Sequence, residues 1–173
     1  MSTDMQSAAK AFFFSPRFAV AGASSDTRKF GHKGTFSAVS ITLRIRTTLS
    51  DDSSAVFAWY LAHDLPVTPL NPNQPSIHAR SSVFATVADA SSLPRPTETS
   101  LSVITPPPVT LQLLKEAKQA GVQAVWLQPG SFDEQSLDYA KKEWPGAAVA
   151  GGGACVLVHG EDAMGAAGRR EGK

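Results

Sequence analysis

Cysteine is nearly missing from this chain: Cys155 is the single one in 173 residues. A lone thiol excludes an intramolecular disulfide and a cysteine-built zinc cluster, and a reducing compartment is its natural setting. Net charge is nearly missing too. Sixteen Lys and Arg against fifteen Asp and Glu leave a formal +1, too little to set up a long-range field toward nucleic acid or an anionic membrane. The short charged tail Arg169-Arg170-Glu171-Gly172-Lys173 reads as a solvated end. No run reaches the ~18 apolar residues of a membrane helix, and the start carries no signal-peptide core with a small-residue cleavage site. No internal repeat is visible, which leaves solenoids and propellers unsupported. The expectation is a cytoplasmic protein with neither a nucleic-acid nor a membrane partner.

Catalytic equipment is equally sparse. His32, His63, His78 and His159 are scattered, without the spacing of metal ligands, and no catalytic or metal-binding residue is assigned. Trp59, Tyr60, Trp126 and Trp144 are not accompanied by a basic groove, so they read as packing residues and not as a stacking platform for bases. Ala154, Val156 and Leu157 around Cys155 favour a buried core thiol over a mixed disulfide with a thiol ligand or a nucleophile with a nearby base.

What the chain does have is a hydrophobic share of 42% and a mean hydropathy of −0.10, in a length that suits one domain. The run Phe18-Ala19-Val20-Ala21 is a short unbroken apolar strand ending at Gly22. Further strands are expected over 65–70, 101–105, 122–127 and 147–150, with a last one over 155–158. Helices are expected over 8–14, 55–62 and 110–120, the last with Gly121 at its C-cap. Ser131 opens another, with Glu134 completing a capping box. The segment 81–90 is ambiguous, with Val83 and Val87 on one helical face. Strands separated by helices of about a dozen residues imply parallel pairing with helices on both faces. The fold class is therefore α/β: a three-layer Rossmann-like fold around a mostly parallel sheet of about five strands. The triplet Phe12-Phe13-Phe14 is expected to pack against that sheet.

A tight turn after a buried first strand leaves backbone amides for a diphosphate. Gly22 permits the turn, Ser24 and Ser25 offer hydroxyls, and Lys29 offers one positive charge. The three spaced glycines of the dinucleotide fingerprint are not there. Nor is an acidic residue at the end of the second strand to grip ribose hydroxyls; Asn71 and Pro72 stand in that place. An ordinary strand-turn-helix whose glycine only relieves crowding is the competing reading.

Four motifs in order carry a resemblance: Gly22-Ala23-Ser24 with Lys29-Phe30-Gly31; Pro69-Leu70-Asn71-Pro72; Ser102-Val103-Ile104-Thr105-Pro106-Pro107-Pro108; and Trp126-Leu127-Gln128-Pro129-Gly130. The chain resembles the small stand-alone CoA-binding domain proteins, relatives of the amino-terminal domain of the succinyl-CoA synthetase alpha subunit, over residues 12–161. The resemblance implies CoA or an acyl-CoA as ligand. Gly22, Ala23, Ser24, Ser25 and Lys29 would lie at its diphosphate, and Asn71 and Pro72 at the adenosine side. Thr105, Pro106 and Pro107 would lie across the switch point, with Gln128, Pro129 and Gly130 on the next rim. It implies binding without catalysis of its own; the synthetase's ligase chemistry needs a second domain and is not carried over. The alternatives are an NAD(P)-binding oxidoreductase-like protein, or a member that no longer binds. A homodimer or an unidentified protein partner is open.

The resemblance breaks at residues 34–55, which interrupt the helix expected after the phosphate turn. The block is aperiodic, though 40–46 alternates like an exposed strand. It reads as a gene-model artefact such as a retained intron ahead of a genuine surface excursion. Residues 1–11 and 162–173 are expected to be flexible ends outside the domain.

Overall fold

In the computed structural model of the chain, residues 1–24 and 52–169 are described, with the side chains of the second stretch described from Ala55 onward. The candidate residues Ser25 and Lys29, the expected strand over 40–46 and most of the block 34–55 lie outside the described residues. Residues 52–55 of that block belong to a helix, α2.

The described residues form helices α1 (Thr3–Phe12), α2 (Asp52–Ala62), α3 (Pro107–Ala120), α4 (Glu134–Glu143) and α5 (Val156–Ala166). The strands are β1 (Arg17–Ala21), β2 (Val67–Leu70), β3 (Ser76–Ala79), β4 (Ser82–Ala85), β5 (Thr99–Val103), β6 (Ala124–Leu127) and β7 (Ala148–Val149). Five of the strands make one sheet in the order β2-β1-β5-β6-β7, every pair parallel. This is the α/β Rossmann-like arrangement expected from sequence. With β3 and β4 set apart as a hairpin, the parallel strands run second, first, third, fourth, fifth. That is a doubly wound order whose direction reverses between β1 and β5.

Alternation along the strands divides two cores. Phe18 and Val20 of β1 and Trp126 of β6 pack with α1, α2 and α5. Ala19 and Ala21 of β1, Leu101 and Val103 of β5, and Leu127 pack with α3 and α4. The phenylalanine triplet belongs to the first core: Phe12 and Phe13 are fully buried while Phe14 stays exposed. The rings of Phe12 and Trp126 meet edge to face at 5.5 Å. Full burial of each such ring contributes about 1.5–3 kcal/mol. Strand β5 is buried along its whole length despite its serines. Ser100 is satisfied there by the Phe12 carbonyl at 2.8 Å and Ser15 at 2.7 Å, so burial costs it little.

Several local expectations are corrected. The first helix starts at Thr3, not residue 8, because Ser2 caps it through the Met5 amide and Ala8, Ala9 and Phe12 bury one face. The other end is likewise structured beyond residue 161. Helix α5 runs to Ala166, and Arg169 donates to the Ser15 carbonyl while lying over the Phe18 ring. The ambiguous segment 81–90 opens with a strand: residues 76–85 form an antiparallel hairpin. Its loop is Arg80-Ser81 with positive φ of 46° and 66°, the backbone of a two-residue I′ turn without the usual Asn-Gly. Helix α4 is capped by Asp133 with Ser136 in the reciprocal box, two residues after Ser131, whose hydroxyl is spent on the Gln128 carbonyl. The segment 155–158 opens α5 and is not a strand.

Candidate functional site

The sheet's direction reverses between the carboxyl ends of β1 and β5, and a parallel doubly wound sheet leaves its crevice there. A cleft of about 630 Å³ occupies the place. Gly22 and Ser24 border it from β1, Leu70, Asn71 and Pro72 from β2, and Ile104, Thr105 and Pro106 from β5.

Gly22 is the pivot. Its φ is +93°, a region that costs any residue with a Cβ. A Cβ on Gly22 would stand 3.0 Å from the Thr105 nitrogen and 3.1 Å from the Ile104 carbonyl carbon. The chain leaving β1 thus comes close to the chain leaving β5 at a residue that carries no side chain. The Gly22 amide is not available to a ligand, since it donates to the Leu70 carbonyl at 3.0 Å. Any diphosphate amide contact from this turn has to come from beyond Gly22.

Asn71 braces the same turn from the neighbouring strand. Its Nδ2 donates to the Ala23 carbonyl at 2.8 Å, and its Oδ1 accepts from the Asn73 amide at 2.9 Å. The side chain is buried, so both ends of the amide are committed within the protein.

The β5 side is built differently. Helix α3 is preceded by Pro106 and begins Pro107-Pro108, none of which has an N–H. The Val109 amide, the first donor of the helix, returns to the Pro106 carbonyl at 2.9 Å. The opening of α3 therefore lacks the row of amides that makes a helix start an anion site. Beneath it, the buried Thr110 hydroxyl lies 2.8 Å from the Thr105 hydroxyl and donates to the Ser131 carbonyl. This ties the turn after β5 to the turn after β6.

Six of the sequence candidates meet in the cleft: Gly22, Ser24, Asn71, Pro72, Thr105 and Pro106. Ala23, Pro107, Gln128, Pro129 and Gly130 do not line it. Gln128 is placed as a structural hub, its Nε2 donating to Ser102 at 3.0 Å and its Oε1 accepting from the Val156 amide at 2.9 Å. It is the tertiary cap of α5, whose own N-cap, Cys155, provides none. Cleft residues that sequence reasoning missed include Asp89, Val109, Gln112 and Glu116. Asp89 had a local signal in its neighbours Ser91 and Ser92: it accepts from the Ser91 hydroxyl at 2.7 Å and the Ser92 amide at 2.8 Å. Those two donors hold its carboxyl below the usual carboxylate value.

Away from the cleft, Cys155 is partly buried. The His159 ring meets the Cys155 backbone, at 3.3 Å from its nitrogen and 3.2 Å from its oxygen. Tyr60 is fully buried, and loss of water pushes its phenol well above its ordinary value, against a smaller opposing effect of the Ser102 hydroxyl. Among the described residues the Tyr60 oxygen has no hydrogen-bond partner. Among the described residues no group of three or more His, Cys, Asp or Glu is arranged to hold a metal ion, and no helix is long and apolar enough to cross a membrane.

Comparison with known proteins gives a family model, described as a CoA binding domain, that matches residues 47–161. The match begins inside the block 34–55 and leaves the Gly22 turn outside. No curated protein matches the chain. A hypothetical protein from Pyrococcus horikoshii OT3 has a similar structure, with a TM-score of 0.66 at 16% identity, covering 95% of this chain and 96% of that one. A Thermus thermophilus protein, cell-free ID.343, aligns with a TM-score of 0.60 at 19% identity over 94% of this chain and 99% of its own. A conserved hypothetical protein from Pyrococcus furiosus gives a TM-score of 0.52 at 23% identity over 73% and 86%. At these identities the likeness is one of fold.

Proposed function

The chain belongs to the CoA-binding domain family, and from that premise we propose that it holds CoA or an acyl-CoA in the cleft between β1 and β5, with the diphosphate against the Gly22-Ala23-Ser24 turn. The observation that carries this reading is the close approach at Gly22. There the backbone of β1 comes within a Cβ's reach of Ile104 and Thr105 at the mouth of a cleft large enough for part of a nucleotide. The proline-built start of α3 supports the same orientation, because it offers apolar surface and no amides, so the anionic part of a ligand is directed to the other wall.

We read the protein as a ligand holder without chemistry of its own. The titratable side chains among the described cleft residues are Asp89 and Glu116, and Asp89 is engaged in capping its own turn. Any reaction of the bound ligand then belongs to a partner.

Titration calorimetry with CoA and acetyl-CoA tests the proposal. Binding in the micromolar range is expected. Val109 lines the cleft and is 51% exposed, so Val109→Glu puts a negative charge in the site without touching the core. An acid in the first turn of a helix is tolerated or mildly favourable. The variant should keep its melting temperature and bind at least about tenfold more weakly, a loss of about 1.4 kcal/mol. Absence of heat with both ligands up to about 1 mM, an affinity weaker than about −4 kcal/mol, would sink the reading.

A further inference from the structure

The charged side chains among the described residues that line the cleft, Asp89 and Glu116, are both carboxylates. They stand on different elements. Asp89 caps the 3₁₀ turn Ala90–Ser92, and Glu116 lies in α3, one turn after Gln112, whose amide donates to it at 3.0 Å. Carboxylates only accept hydrogen bonds. They suit ribose hydroxyls and the amino group of a base, which donate. They repel a phosphate, which is anionic and, like them, mainly an acceptor. Among the described residues the start of α3 does not offset that repulsion, because its prolines carry no N–H and the Val109 amide is returned to Pro106. Asn71 has one of its two amide hydrogens committed to the Ala23 carbonyl.

We infer that this cleft prefers a nucleotide whose ribose keeps its hydroxyls free over one bearing an additional ribose phosphate, so that among CoA-type ligands the dephospho form binds better than CoA itself. The inference rests on the reading of the cleft as the nucleotide site and sharpens it: the diphosphate stays at the β1 turn, and the ribose faces the wall of Asp89 and Glu116.

The experiment is competition calorimetry of the full chain with CoA and with 3′-dephospho-CoA, at ionic strengths of about 0.01 M and about 0.5 M. Exposed charges act over a Debye length of roughly 30 Å at the lower value and only a few Å near the upper. Dephospho-CoA is expected to bind at least about fivefold tighter at low salt, a modest gap of the size one or two partly exposed charges produce. The gap should narrow at high salt. Glu116→Gln keeps the acceptor for Gln112 and should reduce the preference, and Glu116→Lys should abolish or invert it. Folding of each variant is checked by its melting curve, and because Glu116 is a partly exposed position on the helix surface, little change is expected there.

CoA binding as tightly as, or tighter than, the dephospho form overturns the inference while leaving the CoA site intact. A preference that is indifferent to salt and to Glu116→Lys also overturns it, because the origin is then shape and not charge. Failure of both ligands to bind removes the underlying reading as well, so the two failures are told apart.

Discussion

The turn after β1 and the turn after β5 face each other across the switch point, one built as Gly22-Ala23-Ser24 and the other as Thr105-Pro106-Pro107-Pro108. Both take the chain away from a buried parallel strand at the same end of the sheet. The first does so with a residue that has no side chain, at a φ of +93°, and is braced by an uncharged amide, Asn71. The second does so with residues that have no amide hydrogen, and is braced by a buried hydroxyl, Thr110. The contrast divides the cleft into a wall that brings backbone close and a wall that withholds donors. Polarity inside the cleft is thereby set by backbone chemistry before any charged side chain takes part.

The largest effect should come from breaking the glycine turn. Gly22→Val puts a branched side chain at a left-handed φ and a Cβ about 3.0 Å from the Thr105 nitrogen. Strain and overpacking together should cost about 3 kcal/mol or more, read as a lower urea midpoint at unchanged slope. This substitution therefore tests the fold as well as the site, which is why Val109 and not Gly22 is the position for testing binding. On the opposite wall, Pro107→Ala restores an amide that nothing needs and loosens the unfolded chain, a cost of about 0.4–1 kcal/mol. Equal losses at the two positions would dissolve the contrast.

Next in size are the two braces. Asn71→Asp keeps the size and the acceptor for Asn73 but cannot donate to the Ala23 carbonyl when ionised, leaving two acceptors face to face. About 1–3 kcal/mol is expected for a buried group left unmatched, together with weaker ligand binding, because the turn it holds is the one proposed to meet the diphosphate. Thr110→Val keeps the shape and removes the donor to the Ser131 carbonyl. About 1–2 kcal/mol of stability should go, with binding changed little, and Thr110→Ser should restore most of it. If Thr110→Val harms binding as much as Asn71→Asp does, the two walls are not functionally distinct.

The glycine wall was legible in the sequence because its signals are local. An apolar strand ending in glycine fixes the turn, and Gly121 fixes the end of α3 for the same reason, with a φ of +84°. What escaped was decided at a distance. The amide of Gln128 reads in sequence as a ligand contact, yet it caps a helix that begins 28 residues later, and that distant cap is why Cys155 to Val158, a run with β-branched valines, opens α5. The β3–β4 hairpin was hidden because Arg80 and Ser81 adopt positive φ without glycine or asparagine. Asp89 and Glu116 reach the cleft only through the fold, one from the loop after β4 and the other from helix α3. The site was thus readable where backbone chemistry makes it and unreadable where tertiary placement does.

The smallest effect concerns charge, and it separates the braces from the outer wall of the cleft. Neither Asn71 nor Thr110 titrates, whereas Asp89 does. The Ser91 hydroxyl and the Ser92 amide hold its carboxyl below the usual value. A carboxyl whose folded pKa is lowered contributes stability that is fully present above its unfolded pKa and is lost as pH falls through the folded one. On acidification the Ala90–Ser92 turn should therefore loosen while the Gly22 turn holds. Amide hydrogen exchange reads both. Protection at Ser92, whose N–H meets Asp89, should fall at acid pH once the rates are corrected for their intrinsic pH dependence. Protection at Gly22, whose N–H meets the Leu70 carbonyl, should not. Asp89→Asn keeps an acceptor that cannot ionise, so it should remove the acid-induced loss at Ser92 without altering Gly22. Loosening of both amides in step, or its persistence in Asp89→Asn, would mean that the two walls share one acid-sensitive support and that the division between them is not energetic.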